Sequence, residues 1–190
     1  MTAAQRHAER AVAVDPGNWL SRVAQGLVAL LSGNPEAAVA AARRMVDLTG
    51  AEPIPKMSLG IYCGYAGRKE EACTLSRQVA ATGETLAFVG AVWDAALRQD
   101  REGFRRALAE GPLLDLARMD KEFSWWLTDS FALMGDTEEA LRWLESAIEL
   151  GFCNHRFWSE IDPFLAPLRS DPRFQALMDR AREKQRAFEG

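Results

Sequence analysis

The sequence predicts an all-α protein, an α-α superhelix of antiparallel helix pairs closed by a C-terminal capping helix. The first observation is a repeat: the similar segments "GNPEAA", "GRKEEA" and "GDTEEA" begin at Gly33, Gly67 and Gly135, and Gln99 falls between the last two, giving intervals of 34, 32 and 36 residues. The second is that each period holds two apolar runs at helical spacing, separated by a polar break. The third is a final amphipathic stripe. A period near 34 residues indicates stacked helix-turn-helix units.

The best copy of the repeat shows why each residue type is needed. Glycine suits the turn, and Asp136 or Thr137 can cap the helix that follows. Glu138 and Glu139 stand in the first turn of that helix, where the helix dipole favours acids. The apolar residues of this copy fall on one face before the turn and one face after it: Leu127 and Phe131, then Ala140, Leu144 and Ala147. The two alanines among these residues allow the two helices to approach closely.

Composition limits the class of protein. The 190 residues are 48% hydrophobic and 26% charged, which is typical of a chain that folds around a core and not of a disordered one. The formal net charge of −4 argues against a nucleic-acid partner. The longest apolar run, about six residues around "LVALL", is far short of the roughly twenty needed to span a bilayer. The first residues lack the pattern of a secretion signal. We therefore expect a cytoplasmic protein without a membrane partner.

The three cysteines predict neither a disulfide framework nor a metal site. Cys63, Cys73 and Cys153 cannot all pair with one another, and their spacing is not that of metal ligands. We expect buried or partly buried free thiols. The sequence predicts no metal and no cofactor.

These residues resemble the tetratricopeptide repeat (TPR) family. The resemblance is carried by residues of the best copy and by matches in the others: Leu127, Phe131, Ala140, Leu144 and Ala147; Leu59, Gly60 and Ala72; Gly26 and Ala38; Ala11 and Pro16. It implies a TPR array over 1–152, with a half repeat at 1–16 and repeats at about 18–50, 53–83, 84–115 and 117–152, followed by a capping segment at 153–190. The third full repeat is degenerate, with Phe104 where alanine is usual.

The resemblance also implies where a partner would bind. In this family the first helices of successive repeats line a concave groove, and the corresponding positions here are Leu20, Val23, Leu27, Met57, Ile61, Tyr65, Val89, Trp93, Trp125 and Asp129. None is basic, which disfavours the clamping of a peptide carboxylate. An apolar, aromatic groove suits an amphipathic helix or hydrophobic peptide of a partner protein. The alternative is that tryptophans such as Trp93, Trp126 and Trp143 belong to the core between repeats.

The last forty residues differ from the repeats. Asp162-Pro163 and Asp171-Pro172 each place a capping side chain before a proline, which predicts two helix starts. The final run places Phe174, Leu177, Met178 and Ala181 on one stripe, as expected of a capping helix. The wording "DPFLAPLRSDPRFQALM" is similar to tails that follow TPR tracts in bacterial multidomain signalling proteins. That similarity implies an upstream domain of the same polypeptide.

The sequence offers no catalytic constellation. Ser159, Asp162 and His155 are close in sequence, but a nucleophile triad requires a spatial arrangement that proximity along the chain does not supply. Gly60, Gly64 and Gly67 do not form a phosphate-binding fingerprint. Gly60 and Gly64 stand four residues apart and are expected to permit close helix packing. We therefore predict a protein without enzymatic activity.

Two functions remain open at this stage. The first is a non-catalytic interaction module that binds a peptide or helix of a partner in the groove, as part of a larger signalling or regulatory protein. The second is a structural or oligomerisation unit, which forms a homodimer through its exposed N-terminal helix or has its groove filled by the chain itself. The segment "GPLLDLARMDK" (111–121) fits either a short extra turn or an elongated helix.

Overall fold

The computed structural model describes residues 2–50, 52–84 and 86–189. Within these ranges the chain contains helices and no β-strand, so the predicted all-α class is confirmed. The α-helices are α1 (Ala3–Val14), α2 (Trp19–Leu31), α3 (Pro35–Thr49), α4 (Pro53–Tyr65), α5 (Lys69–Ala80), α6 (Ala87–Arg98), α7 (Arg101–Glu110), α8 (Leu113–Ala117), α9 (Lys121–Leu133), α10 (Thr137–Glu149) and α11 (Pro172–Glu189). A turn of π-helix (Phe157–Ile161) and a 3₁₀ turn (Ala166–Leu168) lie between α10 and α11.

The chain divides into two compact units, residues 1–94 and 95–190. In the first unit each of the helices α1 to α4 packs on the next one along the chain. In the second unit α9 packs on both α8 and α10, and α11 packs on α10. The division falls inside α6, whereas the predicted boundary between the repeat array and the capping segment is at residue 152. The predicted bounds of the repeats and of the capping segment stay a prediction. None of the helices in the described residues combines the length and apolar character that crossing a bilayer requires.

The four aligned turns share one backbone geometry. Gly33, Gly67 and Gly135 have φ values of 85°, 73° and 73°, and Gln99, which aligns with them, has φ 57°. In each turn the next residue donates its N–H to the carbonyl five residues back, at 2.8 to 2.9 Å: Asn34 to Ala29, Arg68 to Cys63, Asp100 to Ala95 and Asp136 to Phe131. This bond closes a helix that is followed by a left-handed residue. The repeat in the sequence therefore reflects a recurring helix-ending turn.

Three of these turns also cap the helix that follows. The side-chain oxygens of Asn34, Asp100 and Asp136 accept the backbone N–H three residues on, at 3.1, 2.9 and 3.2 Å. Asp136, and not Thr137, therefore caps α10. Arg68 makes no such side-chain bond, and its side chain pairs instead with Glu36 of α3.

Backbone contact sets the distance between α5 and its neighbours in the first unit. A Cβ atom placed on Gly90 of α6 would lie 2.5 Å from the carbonyl oxygen of Ser76 and 3.0 Å from the amide nitrogen of Ala80. A Cβ atom on Gly60 of α4 would lie 3.3 Å from the Ser76 hydroxyl. Both helices therefore approach α5 more closely than a larger residue allows.

The second unit has a core of small and aromatic side chains. Ala140, Leu144 and Ala147 of α10 are fully buried. Phe104 of α7, which stands where alanine is usual, is buried edge-on against Phe131 of α9, with ring centroids 5.2 Å apart. The uncertain segment 111–121 forms the short helix α8 before α9 begins, so the extra-turn alternative is the observed one.

One of the two predicted helix starts near the C-terminus is wrong. Pro172 begins α11, and Asp171 accepts the N–H of Arg173 at 2.8 Å. No α-helix follows Pro163, although Asp162 accepts the N–H of Phe164 at 2.9 Å. An α-helix from Pro163 would need an N–H on Pro167 to reach the Pro163 carbonyl, and proline has none.

Helix α11 is held to α10 by an apolar stripe and by charge pairs. The stripe of Phe174, Leu177, Met178 and Ala181 is buried. On the rim, Arg173 bonds Glu138 at 2.5 Å, Arg180 bonds Glu145 at 2.6 Å, and Lys184 bonds Glu149 at 2.8 Å. Arg180 also bonds Glu149. The carboxylate of Glu149 is thus shared by two cations of α11.

Replacing Gly90 with alanine should destabilise the chain by about 1–3 kcal/mol, because the new methyl group would force α6 and α5 apart. Urea unfolding followed by circular dichroism measures the effect. Gly17→Ala is the matched control, since its Cβ would meet only the Asp15 carboxylate, at 3.8 Å. Equal stability of the two variants would show that the backbone contact at Gly90 is not needed.

Replacing Glu149 with glutamine should lower the melting temperature at neutral pH and have no effect in acid. The hydrogen bond from Lys184, and then that from Arg180, lowers the pKa of Glu149 below its ordinary value of 4.5. Its stabilising contribution is therefore complete above about pH 4.5 and is lost as the pH falls through the lowered pKa. Calorimetry of wild type and variant across this pH range measures the difference between their melting temperatures. Glu183→Gln on α11 is the control; a gap that persists in acid would contradict the prediction.

Candidate functional site

The ten predicted groove residues lie on four helices. Eight belong to the first unit: Leu20, Val23 and Leu27 on α2, Met57, Ile61 and Tyr65 on α4, and Val89 and Trp93 on α6. Trp125 and Asp129 lie on α9 in the second unit. The two sets are therefore described separately.

The first helices of the pairs are direct neighbours in the first unit. A Cβ atom on Gly26 of α2 would lie 2.8 Å from the ring of Tyr62 on α4, and one on Gly64 of α4 would lie 3.1 Å from the ring of Trp93 on α6. In each contact a glycine of one helix meets an aromatic ring of the first helix in the following pair. Helices α2, α4 and α6 therefore form a row, held by rings that occupy the space a side chain would fill.

Most predicted groove positions of this row are buried. Five of them, on α4 and α6, have at most 6% of their surface exposed: Met57, Ile61, Tyr65, Val89 and Trp93. On α2, by contrast, Leu20 is 59% exposed, and Val23 and Leu27 are half-buried. Among the described groove residues of the first unit, the solvent-accessible ones therefore lie on α2. The sequence did not separate the two groups, because an apolar residue at helical spacing fits a core and a groove equally well.

A second feature of the first unit is an exposed apolar edge, formed by Val14, Leu20, Leu48 and Ile54. Val14 and Leu48, near the ends of α1 and α3, are 78% and 47% exposed. Leu20 and Ile54, near the starts of α2 and α4, are 59% and 42% exposed. Each pair is separated by 34 residues, which is the repeat interval. Three of these residues, Val14, Leu48 and Ile54, are not among the predicted groove residues, although the same periodicity could have identified them.

In the second unit, Trp125 is the centre of an aromatic cluster. Its ring lies 5.0 Å from Phe152, 5.3 Å from Phe157 and 6.3 Å from Trp158, and it is almost fully buried. Asp129, one turn further along α9, is also buried. Trp125 therefore contributes to attaching the segment after α10 to α9.

The structure does not assemble the three residues considered for a triad. The Ser159 hydroxyl donates to the backbone carbonyl of His155 at 2.8 Å, and the buried Asp162 carboxylate caps the turn at Phe164. The His155 ring contacts Arg182 at 3.0 Å. Burial and the Arg182 charge lower the pKa of His155. Each side chain is thus engaged locally.

The three thiols are free, and two are buried. Burial raises the pKa of Cys63 to about 12, and burial also raises the pKa of Cys73 and of the half-buried Cys153. A thiol with a raised pKa is a poor nucleophile at neutral pH. Among the residues that the structure describes, no three His, Cys, Asp or Glu side chains are placed to hold a metal ion.

A cavity of about 710 Å³ opens in the second unit between the start of α9, the turn after α10 and the last part of α11. Its lining consists of Lys121, Gly151, Phe152, Cys153, Asn154, Lys184 and Gln185. These residues come from three segments separated by about thirty residues each, so no local motif in the sequence indicated the cavity.

Comparison with known proteins gives matches among solved structures only. No family model matches the sequence, and no curated protein matches it. Among solved structures the chain is similar to YrrB, described as a TPR protein with an unusual peptide-binding site, at 13% identity and a TM-score of 0.46. The match covers 94% of this chain and 92% of that one. At that score the likeness assigns neither a fold family nor a function.

Proposed function

We propose that the chain is a non-catalytic protein–protein interaction module that binds an amphipathic helix or hydrophobic peptide of a partner protein. The observation that carries the proposal is the exposed apolar edge of the first unit. Four large apolar side chains lie in water there at the spacing of the repeat, while the other large apolar residues of α2 and α4 are buried or half-buried. Burying one such side chain contributes about 1.5–3 kcal/mol.

In this proposal the buried and exposed groove residues have different roles. Leu20, Val23 and Leu27 on α2 contact the partner directly. The aromatic and aliphatic residues of α4 and α6 fix the spacing of the row and shape the groove, as the contact between Trp93 and Gly64 illustrates. Trp125 and Asp129 remain part of the predicted groove in the second unit.

Charge beside the apolar edge favours a basic partner. Asp15 follows Val14 directly, Asp47 precedes Leu48 directly, and Glu52 lies two residues before Ile54; all three acids are exposed. The chain as a whole carries a formal charge of −4. A partner helix with Lys or Arg beside its apolar face complements this surface and associates faster at low salt.

The wider context is proposed from the sequence alone. The tail resembles those of bacterial multidomain signalling proteins, and this supports a module within a larger regulatory chain. Free thiols with no disulfide among the described residues support a cytoplasmic location. The local engagement of Ser159, Asp162 and His155 supports a role without catalysis.

A structural alternative is self-association through α1. Ala8 is the one buried residue among those described in this helix, and Val14 at its end is the most exposed large apolar side chain described. A helix so little covered offers a face to a second copy of the chain.

Leu20→Glu should weaken partner binding by at least about tenfold, because it places a charge in the apolar edge. A displayed library of amphipathic peptides is panned on the wild-type chain, and fluorescence anisotropy measures the affinity of the selected peptide. Met119→Glu, a substitution at an even more exposed apolar residue of the second unit, is the matched control. Circular dichroism checks that both variants fold. Failure to select amphipathic peptides, or equal affinities of L20E and wild type, would remove the edge as a binding surface.

Self-association is tested by light scattering over a range of concentrations. The alternative expects a mass that rises to twice that of the 21.1 kDa chain, and Val14→Glu should abolish the rise. A monomer mass at every concentration would eliminate the homodimer.

A further inference from the structure

The cavity of the second unit has the size of a small-molecule site and is lined by residues other than those of the exposed apolar edge. Its volume of about 710 Å³ falls within the range of ligand pockets, roughly 300–1,000 Å³. Every lining residue belongs to the second unit, whereas the apolar edge belongs to the first. A ligand in the cavity would therefore be a second binding partner and not the one discussed above.

One wall of the cavity is apolar and firmly supported. The Phe152 ring packs 4.7 Å from Trp158 and 5.0 Å from Trp125, measured between ring centroids. The backbone carbonyl of Phe152 accepts the indole N–H of Trp158 at 3.0 Å. The neighbouring Cys153 thiol donates to the carbonyl of Ile148 at 3.5 Å. This wall is thus held in place and suits an aromatic ring or a short hydrocarbon chain.

The polar groups of the cavity are mainly donors. The side-chain oxygen of Asn154 accepts the N–H of Phe157 at 3.1 Å, so its amide NH₂ group is the part left to contact a ligand. The side-chain oxygen of Gln185 accepts the N–H of His155 at 3.2 Å. Lys121 and Lys184 add two ammonium groups. Acceptors on the ligand are therefore favoured over donors.

The charges of the cavity match a single negative charge. Lys184 is already paired with Glu149, which also bonds Arg180. Lys121 takes part in none of the ion pairs of the described residues, and the adjacent Asp120 carboxylate accepts the N–H groups of Glu122 and Phe123. Lys121 makes no direct ion pair with these described residues, although its charge attracts the neighbouring Glu122 carboxylate. One such ammonium group beside an amide donor suits a carboxylate better than a doubly charged phosphate.

We propose that this cavity binds a small organic carboxylate that carries an apolar ring or short chain. The carboxylate contacts Lys121 and the Asn154 amide, and the apolar part packs against Phe152 and Cys153. No step of covalent chemistry is involved, because the described lining residues include no activated nucleophile. The site is a sensor or storage site for an organic acid within a chain that otherwise contacts proteins.

The test compares 2-naphthoate with its neutral counterpart 2-naphthamide by isothermal titration calorimetry on the full chain. The wild type should bind 2-naphthoate about tenfold more tightly than the amide, a difference of about 1.4 kcal/mol. Lys121→Met should remove this preference and leave binding of the amide unchanged. Lys69→Met is the matched control, because Lys69 is likewise the exposed first residue of an α-helix.

Asn154→Asp provides a second, independent variant. The aspartate keeps an oxygen to accept the Phe157 N–H, but it loses the amide donor and adds a negative charge. It should abolish binding of 2-naphthoate while the circular dichroism spectrum stays that of the wild type. Bound 2-naphthoate should also slow maleimide labelling of Cys153, which locates the probe in the cavity.

Three results would overturn the proposal. They are the absence of measurable binding of either probe, equal affinity for the acid and the amide, and an affinity for 2-naphthoate that neither K121M nor N154D changes. None of these results bears on the peptide-binding proposal, since the L20E comparison concerns the other unit.

Discussion

The close approach of helices through residues with little or no side chain is the constraint on which the rest of this structure depends. Gly90 meets the backbone of α5, Gly26 receives the ring of Tyr62, and Gly64 receives the ring of Trp93. Fully buried alanines on α10 have the same role in the second unit. Because dispersion contacts require such short separations, Gly26 and Gly64 determine which aromatic ring becomes buried beside them. The interior therefore holds most of the large apolar side chains.

This packing also determines where function can lie. Side chains in the middle of α4 and α6 are buried in contacts between helices. They can therefore hold a binding surface in place, but they are not accessible to a partner. The accessible apolar residues of the first unit lie instead near helix ends and on α2. In the second unit, the turn after α10 is held by the aromatic cluster and leaves a cavity beside two lysines. Each unit thus presents a different kind of surface, one apolar and extended, the other concave and rich in donors.

The degenerate third repeat shows how the fold tolerates departures from its pattern. Gln99 takes the left-handed conformation that glycine adopts in the other three turns, and the same backbone bond closes the helix. Its side-chain amide donates to the carbonyl of Leu133 at 3.3 Å. A left-handed residue other than glycine costs about 1–2 kcal/mol, which neighbouring contacts can offset. Phe104 similarly replaces an alanine because Phe131 presents an edge for its ring.

The sequence alone determined the helical class, the turns and the apolar faces, since these depend on periodicity and on local backbone chemistry. It also indicated α11, whose cap and stripe are local. It could not tell core from groove for Met57, Ile61 or Trp93, because that depends on which neighbouring helix covers them. No α-helix follows Pro163, although Asp162 caps the turn there. A capping residue is not sufficient here, because Pro167 has no N–H to donate to the Pro163 carbonyl. Only the tertiary structure aligned the exposed residues at the 34-residue interval and enclosed a cavity, because both require segments distant in the chain to be positioned in space.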